Sequence, residues 1–167
     1  DYNMETLTAM AKSLRKTVRK KRSRRVHIFA AVVLILGLLT ILATTAGGEP
    51  LGASGVVTLL AMLVVILVSL FEDKLNAWFA RKRLLPGTEH AAATFEEDGY
   101  VSATGVTESR FSYAQVVAVA ETARYFVFAL SSHHTQAYDK RTIRGGSVED
   151  FRAFIAEKTG KLVENIK

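Results

Sequence analysis

The sequence predicts two fold classes in one chain: a membrane α-helical hairpin, and an α+β cytosolic domain whose antiparallel sheet is closed by a C-terminal helix. Two apolar runs of 21 residues, 26–46 and 51–71, indicate the hairpin. From residue 91 the pattern changes to alternating apolar and polar residues rich in Phe, Tyr and Val, which is typical of strands. We therefore divide the chain into a basic amphipathic segment (1–25), a two-span unit with a juxtamembrane helix (26–86) and a cytosolic domain (87–167).

Each apolar run is long enough to cross a bilayer. At ~1.5 Å per residue such a helix extends roughly 31 Å, which matches the hydrocarbon core. The first run is too long for the apolar region of a cleaved signal peptide and lacks a clear small-x-small cleavage site after its polar end. Neither run contains Asp, Glu, Lys or Arg, so we do not expect an ion path within one protomer.

A tract of nine cations precedes the first run and sets the predicted orientation. Residues 1–25 carry a net charge of +7 and residues 72–86 carry +2, whereas the link GGEP (47–50) holds only Glu49. Because Lys and Arg collect on the cytoplasmic side of short membrane segments, we expect both termini in the cytoplasm. The tract comprises Lys12, Arg15, Lys16, Arg19, Lys20, Lys21, Arg22, Arg24 and Arg25.

We interpret this tract as a membrane-surface segment attracted to anionic lipid. A nucleic-acid arm is the alternative, since such tracts also bind phosphates through counterion release. The region 87–167 carries a net charge of −2 and shows no nucleic-acid-binding motif, which favours the membrane.

Amphipathic segments flank the two spans. In residues 5–19 an apolar stripe predicts a helix that lies on the lipid surface, docks on the cytosolic domain or extends the first span into solvent. After the second span, Leu75, Trp78 and Phe79 share one helical face, and Pro86-Gly87 is expected to end that helix. The stripe of the first segment consists of Leu7, Met10, Leu14 and Val18.

Small side chains recur along both spans and let membrane helices approach closely. Because the link is short, we expect the spans to pack as an antiparallel hairpin, with homodimerisation through a remaining small face as the alternative. The small stripes are Ala30, Gly37 and Thr44 on the first span and Ser54, Thr58, Ala61, Val65 and Ser69 on the second.

The region 87–167 predicts several strands followed by one helix. The segment ATFEEDGYVSATG (93–105) indicates two strands around a Glu-Asp-Gly turn, and residues 108–140 supply three or four more. Ser147 as N-cap with Asp150 three residues later, and Gly160 as a stop, predict the terminal helix. We expect a core of Phe95, Tyr100, Phe111, Val117, Val119, Phe126, Phe128, Phe151, Phe154 and Ile155. From this pattern we expect residues 87–167 to fold without the spans.

Four short stretches follow the basic segment and the two spans. They are FEEDGY (95–100), SYAQVVAVAET (112–122), YDKRTI (138–143) and SVEDFRAFIAEK (147–158). In this order the chain resembles the YcxB-like bacterial membrane proteins, although Tyr113 stands where that family often has Trp. The resemblance implies a pleckstrin-homology-like fold for the C-terminal domain and a location in the bacterial inner (cytoplasmic) membrane.

Lys140, Arg141 and Arg144 form a basic loop that, in a pleckstrin-homology-like domain, is a candidate contact for anionic headgroups. As surface residues, Lys140 and Arg141 are expected to contribute little to folding. The adjacent His133 and His134 point to opposite faces of an extended chain, so we interpret them as part of a solvated turn.

Catalytic and cofactor motifs are absent from the sequence. It contains no cysteine and no G-x-S-x-G, Walker A, Rossmann or H-E-x-x-H pattern. The acidic turn EEDG (96–99) lacks the alternating oxygen ligands of a calcium loop. We therefore expect no catalytic residue, no cofactor and no metal site, and a protein that is not an enzyme.

These expectations combine into a non-enzymatic inner-membrane protein that presents its domain at the cytoplasmic face for partner binding or scaffolding. Two alternatives stay open: an accessory or immunity-type subunit of another membrane protein, and a sensor of anionic lipid headgroups. The expected partners are the lipid bilayer, a membrane or cytosolic protein, and a second copy of the chain; nucleic acid is not expected.

Overall fold

The computed structural model describes residues 1–48 and 50–167, so Glu49 of the predicted link lies outside the described residues. Its helices are α1 (Met4–Lys16), α2 (Lys20–Ala46), α3 (Ala53–Leu70), α4 (Glu72–Lys82) and α5 (Val148–Thr159). Its strands are β1 (Ala91–Phe95), β2 (Gly99–Thr104), β3 (Glu108–Ser112), β4 (Ala118–Glu121), β5 (Tyr125–Ala129), β6 (Thr135–Asp139) and β7 (Val163–Asn165). The protein is thus a pair of apolar helices followed by a sheet-rich domain.

The two apolar runs form α2 and α3, and both helices are long and apolar enough to cross a membrane. Helix α2 has 27 residues and α3 has 18, which correspond to roughly 40 Å and 27 Å. The prediction of two candidate transmembrane helices is therefore confirmed. Helix α2 begins earlier than expected, at Lys20, so the second half of the basic tract belongs to the same helix as the first span.

The spans pack against each other through the small residues of their facing sides. A Cβ atom built on Gly37 would lie 2.8 Å from the Met62 sulfur and 3.5 Å from a methyl carbon of Thr58. A Cβ atom at Gly37 would require the Met62 side chain to shift, so glycine allows the closest approach of the two helices here. Ser54 and Ala61 of the predicted stripe are exposed.

The strands form two open sheets. One has the order β1-β2-β3 and is antiparallel throughout; the other has the order β6-β5-β4-β7. Strand β7 pairs with β4 in parallel, with Ala120 opposite Glu164. The predicted single antiparallel sheet is therefore wrong in two respects, because the sheets are separate and one of them is mixed. Sequence patterns offer little indication of β7, which has only three residues.

The main core lies between the two sheets and α5. It consists of Tyr100, Tyr113, Val116, Val119, Phe126, Phe128 and Ile155, with Phe95, Phe111, Phe151 and Phe154 partly buried around it. Val117 was expected in the core, but its side chain is 49% exposed and its neighbour Val116 is buried instead. The short 3-10 turn at residues 113–115 ends here and shifts the alternation by one residue.

Helix α5 begins and ends as its sequence predicts. The Ser147 hydroxyl accepts a hydrogen bond from the Asp150 backbone N–H at 3.0 Å, and the Asp150 carboxylate accepts one from the Ser147 N–H at 2.9 Å. This capping box satisfies two of the donors left open at a helix start. Gly160 ends the helix with φ of 63°, a left-handed conformation that favours glycine.

Helix α1 docks on the domain, which is one of the three positions that the sequence left open. Ala9 and Met10 pack against a second buried cluster on the outer face of the mixed sheet, and the Thr6 hydroxyl donates to the Tyr125 hydroxyl at 3.2 Å. Val18 is 39% exposed because α1 ends at Lys16, two residues earlier. The cluster under α1 comprises Ala120, Tyr125, Val127 and Ile166.

Helix α4 runs beside α1. Ala77 is the one buried residue of α4, with 1% exposure. Leu75, Trp78 and Phe79 stay exposed on the other faces of the helix. The helix ends at Lys82, before the expected stop at Pro86. Both chain segments that adjoin the spans therefore lie against the domain or against each other.

We expect residues 87–167 alone to be less stable than they are beneath α1. Without α1, the side chains of Tyr125, Val127 and Ile166 would be exposed to water. Full exposure of each side chain would remove about 1.5–3 kcal/mol of stabilisation. Added peptide 1–17 should raise the melting temperature of the fragment, whereas a Met10→Asp peptide should not, because a charge would enter the apolar contact. Circular dichroism measures both. A fragment that melts like the whole chain and ignores both peptides would contradict this expectation.

Candidate functional site

The chain changes direction between α1 and α2, and this junction is held by polar contacts. Helix α1 ends at Lys16, and Thr17 leaves the helical conformation with φ −105° and ψ −92°. Lys16 Nζ donates to the carbonyl oxygen of Lys167 at 3.1 Å, and Arg19 Nε donates to the carbonyl oxygen of Ser132 at 2.5 Å. Two cations of the tract thus bind backbone oxygens just outside the strands of the mixed sheet and fix where α2 begins.

Arg15 joins α1 to the start of α4. Its Nε and Nη2 atoms donate to the two Asp73 carboxylate oxygens at 2.7 and 2.6 Å, and Glu72 lies 3.8 Å away. These hydrogen bonds with Asp73 raise the pKa of the Arg15 guanidinium. Both carboxylates occupy the first turn of α4, where the helix dipole favours negative charge. The contact therefore ties the segment before the first span to the segment after the second.

A groove opens at this junction, between α1, α2 and the end of β7. Its cavity has a volume of about 540 Å³. One side carries the basic and imidazole side chains of Arg15, Lys16, Lys20, Arg24 and His27. The remaining lining residues are Ser23, Glu164 and Ile166. We call this set of eight residues the basic groove.

Helical periodicity divides the cations of α2 between two faces. Lys20 and Arg24 are four residues apart and lie on the groove side together with His27, as the 3.6-residue repeat requires. Lys21, Arg22 and Arg25 are exposed outside the groove, and Lys12 is half-buried on α1. The uniform tract of the sequence is thus split into cations that hold the fold, cations that line the groove and cations that face away from it.

In the predicted headgroup loop, Lys140 makes contacts that hold the loop to the sheet. Its Nζ lies 2.6 Å from Glu121 Oε1 and donates to the Thr122 carbonyl oxygen, also at 2.6 Å. Arg152 donates twice to the same carboxylate, at 2.6 and 2.8 Å. The Arg152 hydrogen bonds, supported by Lys140, lower the pKa of Glu121 to about 2 although burial opposes them. The expectation that Lys140 is a free surface cation is therefore wrong.

Arg141 and Arg144 are exposed, but Arg141 is engaged as well. Its guanidinium donates to Asp139 at 2.9 and 3.1 Å, and with Arg124 it lowers the pKa of that carboxyl. Arg124 also contacts Glu5 near the start of α1. Glu5 and Arg15 are ten residues apart on α1, roughly 15 Å along the helix axis. Arg141 is thus linked through Asp139 and Arg124 to the start of α1, whereas Arg15 and the basic groove lie at its end.

The remaining candidates stand apart from both regions. His133 accepts or donates a hydrogen bond with the Ser132 hydroxyl at 2.7 Å, and the His134 ring lies edge-on to Phe111. The acidic turn EEDG (96–99) lies beside Arg110, whose guanidinium is 3.5 Å from Glu96. In the part of the chain that the structure describes, no three His, Cys, Asp or Glu residues are grouped as metal ligands.

Sequence reasoning missed the groove because two of its eight lining residues are remote in sequence from the others. Glu164 and Ile166 follow α5, and they reach Lys20 and Arg24 only because β7 pairs with β4. The spacing of Lys20, Arg24 and His27 indicates one helical face. This signal is useful only when it is known that α2 begins at Lys20. Glu121, the shared carboxylate of Lys140 and Arg152, left no signal beyond its charge.

Comparison with protein families gives one match. The family model described as YcxB-like protein matches residues 95–155, which run from the end of β1 to within α5. The predicted resemblance to this family is confirmed for that segment, and the two candidate membrane helices that precede it agree with it. No curated protein and no solved structure matches the chain.

We expect Lys140→Ala to lower the free energy of unfolding by about 1.5–3 kcal/mol, because it removes charged hydrogen bonds to Glu121 and Thr122. The matched control is Arg141→Ala, which removes an exposed pair and should lower the free energy of unfolding much less. Thermal and denaturant unfolding of the detergent-solubilised chain measure both values. Equal losses in the two variants would contradict the structural role of Lys140.

Proposed function

We propose that this chain is a non-enzymatic protein of the bacterial inner membrane that presents its sheet domain at the cytoplasmic face, for partner binding or scaffolding. The bilayer holds α2 and α3, and a membrane or cytosolic protein is the partner. Its non-enzymatic character is proposed because no catalytic motif occurs in the sequence.

The observation that carries this proposal is the docking of α1 and α4. Helix α1 precedes the first span, covers the outer face of the mixed sheet and is joined to α4, after the second span, through Arg15 and Asp73. A domain on flexible linkers would sample many orientations at the bilayer. This domain instead has a fixed relation to both spans, which suits a scaffold that must offer the same surface at a set height.

Confinement to a surface also raises the encounter rate and the apparent affinity of the domain for a second membrane protein. Tethered binding sites act at an effective concentration set by the length and stiffness of the tether. The short, docked helices of this chain restrict the domain to a thin layer next to the membrane. A partner in the same layer would gain affinity without any additional contact.

The finer fold that we propose for the domain is pleckstrin-homology-like. Two features support it: consecutive antiparallel strands in two facing sheets, and the C-terminal helix α5, whose Ile155 is fully buried between them. Strand β7, which follows the helix and pairs in parallel with β4, is an addition to that plan.

Lateral association within the membrane is the second candidate. Ser54 and Ala61 lie seven residues apart on α3 and remain exposed, while Thr58 and Val65 are half-buried. Small residues on one face permit close approach by another helix. This surface would serve an accessory subunit or a second copy of the chain.

The orientation has a direct test. The nine cations before residue 26 should keep the N-terminus in the cytoplasm, and the docked domain should stay with it. Epitope tags at both termini should therefore resist protease added to intact spheroplasts, and a tag inserted at Gly48 should be cleaved. Cleavage of the C-terminal tag before the cells are lysed would exclude this orientation.

If the spans only anchor the chain, the domain and not the spans should bind the partner. In detergent extracts, the whole chain should recover one protein at constant stoichiometry, and so should a chain whose residues 26–71 are replaced by an unrelated two-span hairpin. Residues 1–86 alone, without the domain, should not. If residues 1–86 recover the partner and the chain with the unrelated hairpin does not, the partner binds the spans. That result would refute partner binding by the domain and support lateral association. Quantitative mass spectrometry of the eluates measures each case.

A further inference from the structure

We propose that the basic groove binds the phosphate group of an anionic phospholipid, through Lys20 and Arg24. The inference rests on the membrane placement of α2 proposed above, and adds a ligand to a face that the partner-binding proposal does not use. Four observations carry it: the depth of the groove on α2, the state of its cations, its single carboxylate and its volume.

The groove lies at the depth of lipid headgroups. Nineteen residues separate His27 from Ala46 at the far end of α2, a rise of roughly 28 Å, which is close to the ~30 Å hydrocarbon core. Arg24 and Lys20 then lie about 4 and 10 Å outside that core. The headgroup layer occupies the first 5–8 Å or so beyond it on each side. A lipid phosphate next to α2 would therefore stand level with Arg24, while Lys20 lies somewhat farther from the core, where its long side chain can bend toward the headgroups.

Two cations of the groove are free to bind an anion, while two are already committed. Arg15 is held by both oxygens of Asp73, and Lys16 donates to the Lys167 carbonyl oxygen. Lys20 and Arg24 are exposed, and among residues 1–48 and 50–167 no salt bridge includes either. Arginine presents a planar fork that matches two phosphate oxygens, and lysine adds a point charge. The Ser23 hydroxyl lines the floor between them.

Glu164 weakens the preference of the groove for highly charged anions. It is the one carboxylate in the lining, and it faces the same cavity as Lys20 and Arg24. Its repulsion acts more strongly on a doubly charged phosphate monoester and offsets part of the extra attraction that Lys20 and Arg24 exert on such an anion. The singly charged phosphodiester of an intact phospholipid headgroup loses less to this repulsion.

The volume agrees with a ligand larger than one phosphate. At about 540 Å³ the groove falls within the range of small-molecule sites in proteins. Glycerol attached to the phosphate would fill more of it, and Ile166 provides an apolar wall on the β7 side. Phosphatidylglycerol combines these properties and is the probe that we choose.

The test reconstitutes the whole chain in vesicles of phosphatidylglycerol and phosphatidylcholine, extracts it in mild detergent and counts retained lipids by native mass spectrometry. The wild-type chain should retain phosphatidylglycerol selectively. The double variant Lys20→Gln/Arg24→Gln should lower its occupancy about tenfold or more, as loss of charged hydrogen bonds implies. The matched control is Lys21→Gln/Arg25→Gln, which removes the same charge from the same helix outside the groove, and should retain the lipid.

Equal loss in both double variants would show general attraction of the basic tract to the bilayer, and would overturn the groove as a site. Equal retention in both would overturn it too. If the Lys20→Gln/Arg24→Gln chain does not fold, as judged by its melting temperature, Glu164→Gln decides: removing that charge should raise occupancy about twofold to fivefold. No increase would then count against the groove.

The source of the phosphate is tested on the lipid-free chain in neutral detergent. Short-chain phosphatidylglycerol should raise the melting temperature, and the same concentration of glycerol phosphate or inorganic phosphate should raise it much less. Equal stabilisation by the soluble anions would replace the lipid with a free phosphate and overturn the proposal. A chain that fails to insert into vesicles would instead refute the membrane placement, which separates that failure from a failure of the groove.

Discussion

The outer face of the mixed sheet is apolar and has to be shielded from water, and α1 covers it. Every residue of β5 is buried, with Phe126 and Phe128 on the inner face and Tyr125 and Val127 on the outer face. A sheet that is apolar on both sides needs a second covering layer. Helix α1 supplies that layer, and because α1 leads within a few residues into α2, the domain cannot be placed independently of the spans. The boundary at Pro86-Gly87 therefore separates chain segments but does not separate independent packing units.

The same constraint organises the charges. With α1 fixed on the sheet, Arg15 meets the first turn of α4, and Lys16 and Arg19 meet backbone carbonyls at the edge of the domain. Only the cations beyond that junction stay available to an external anion. A basic tract that looks uniform in sequence thus divides by function, since each side chain's role depends on which helix carries it and which face it occupies.

Buried charge plays a comparable part at the end of β4. Glu121 sits at the end of β4 with 6% exposure and is matched by Lys140 and Arg152 from two different elements. A buried carboxylate without such partners would be costly, so the loop at residues 140–144 is tied to the sheet. This makes Lys140 part of the fold. Of the three similar cations in this loop, Arg144 is the one for which no salt bridge occurs among the described residues.

Local signals in the sequence determined the spans, most strands, the capping box of α5 and its glycine stop, because each depends on composition or on residues a few positions apart. The family resemblance held for residues 95–155 for the same reason, since short motifs persist in order. Tertiary structure alone decided that α1 covers the sheet, that β7 pairs in parallel with β4, and that Glu164 and Ile166 meet Lys20 and Arg24. These contacts join residues 44 or more positions apart in sequence, and their energy comes from burial and charge pairing that exist only after the chain has folded.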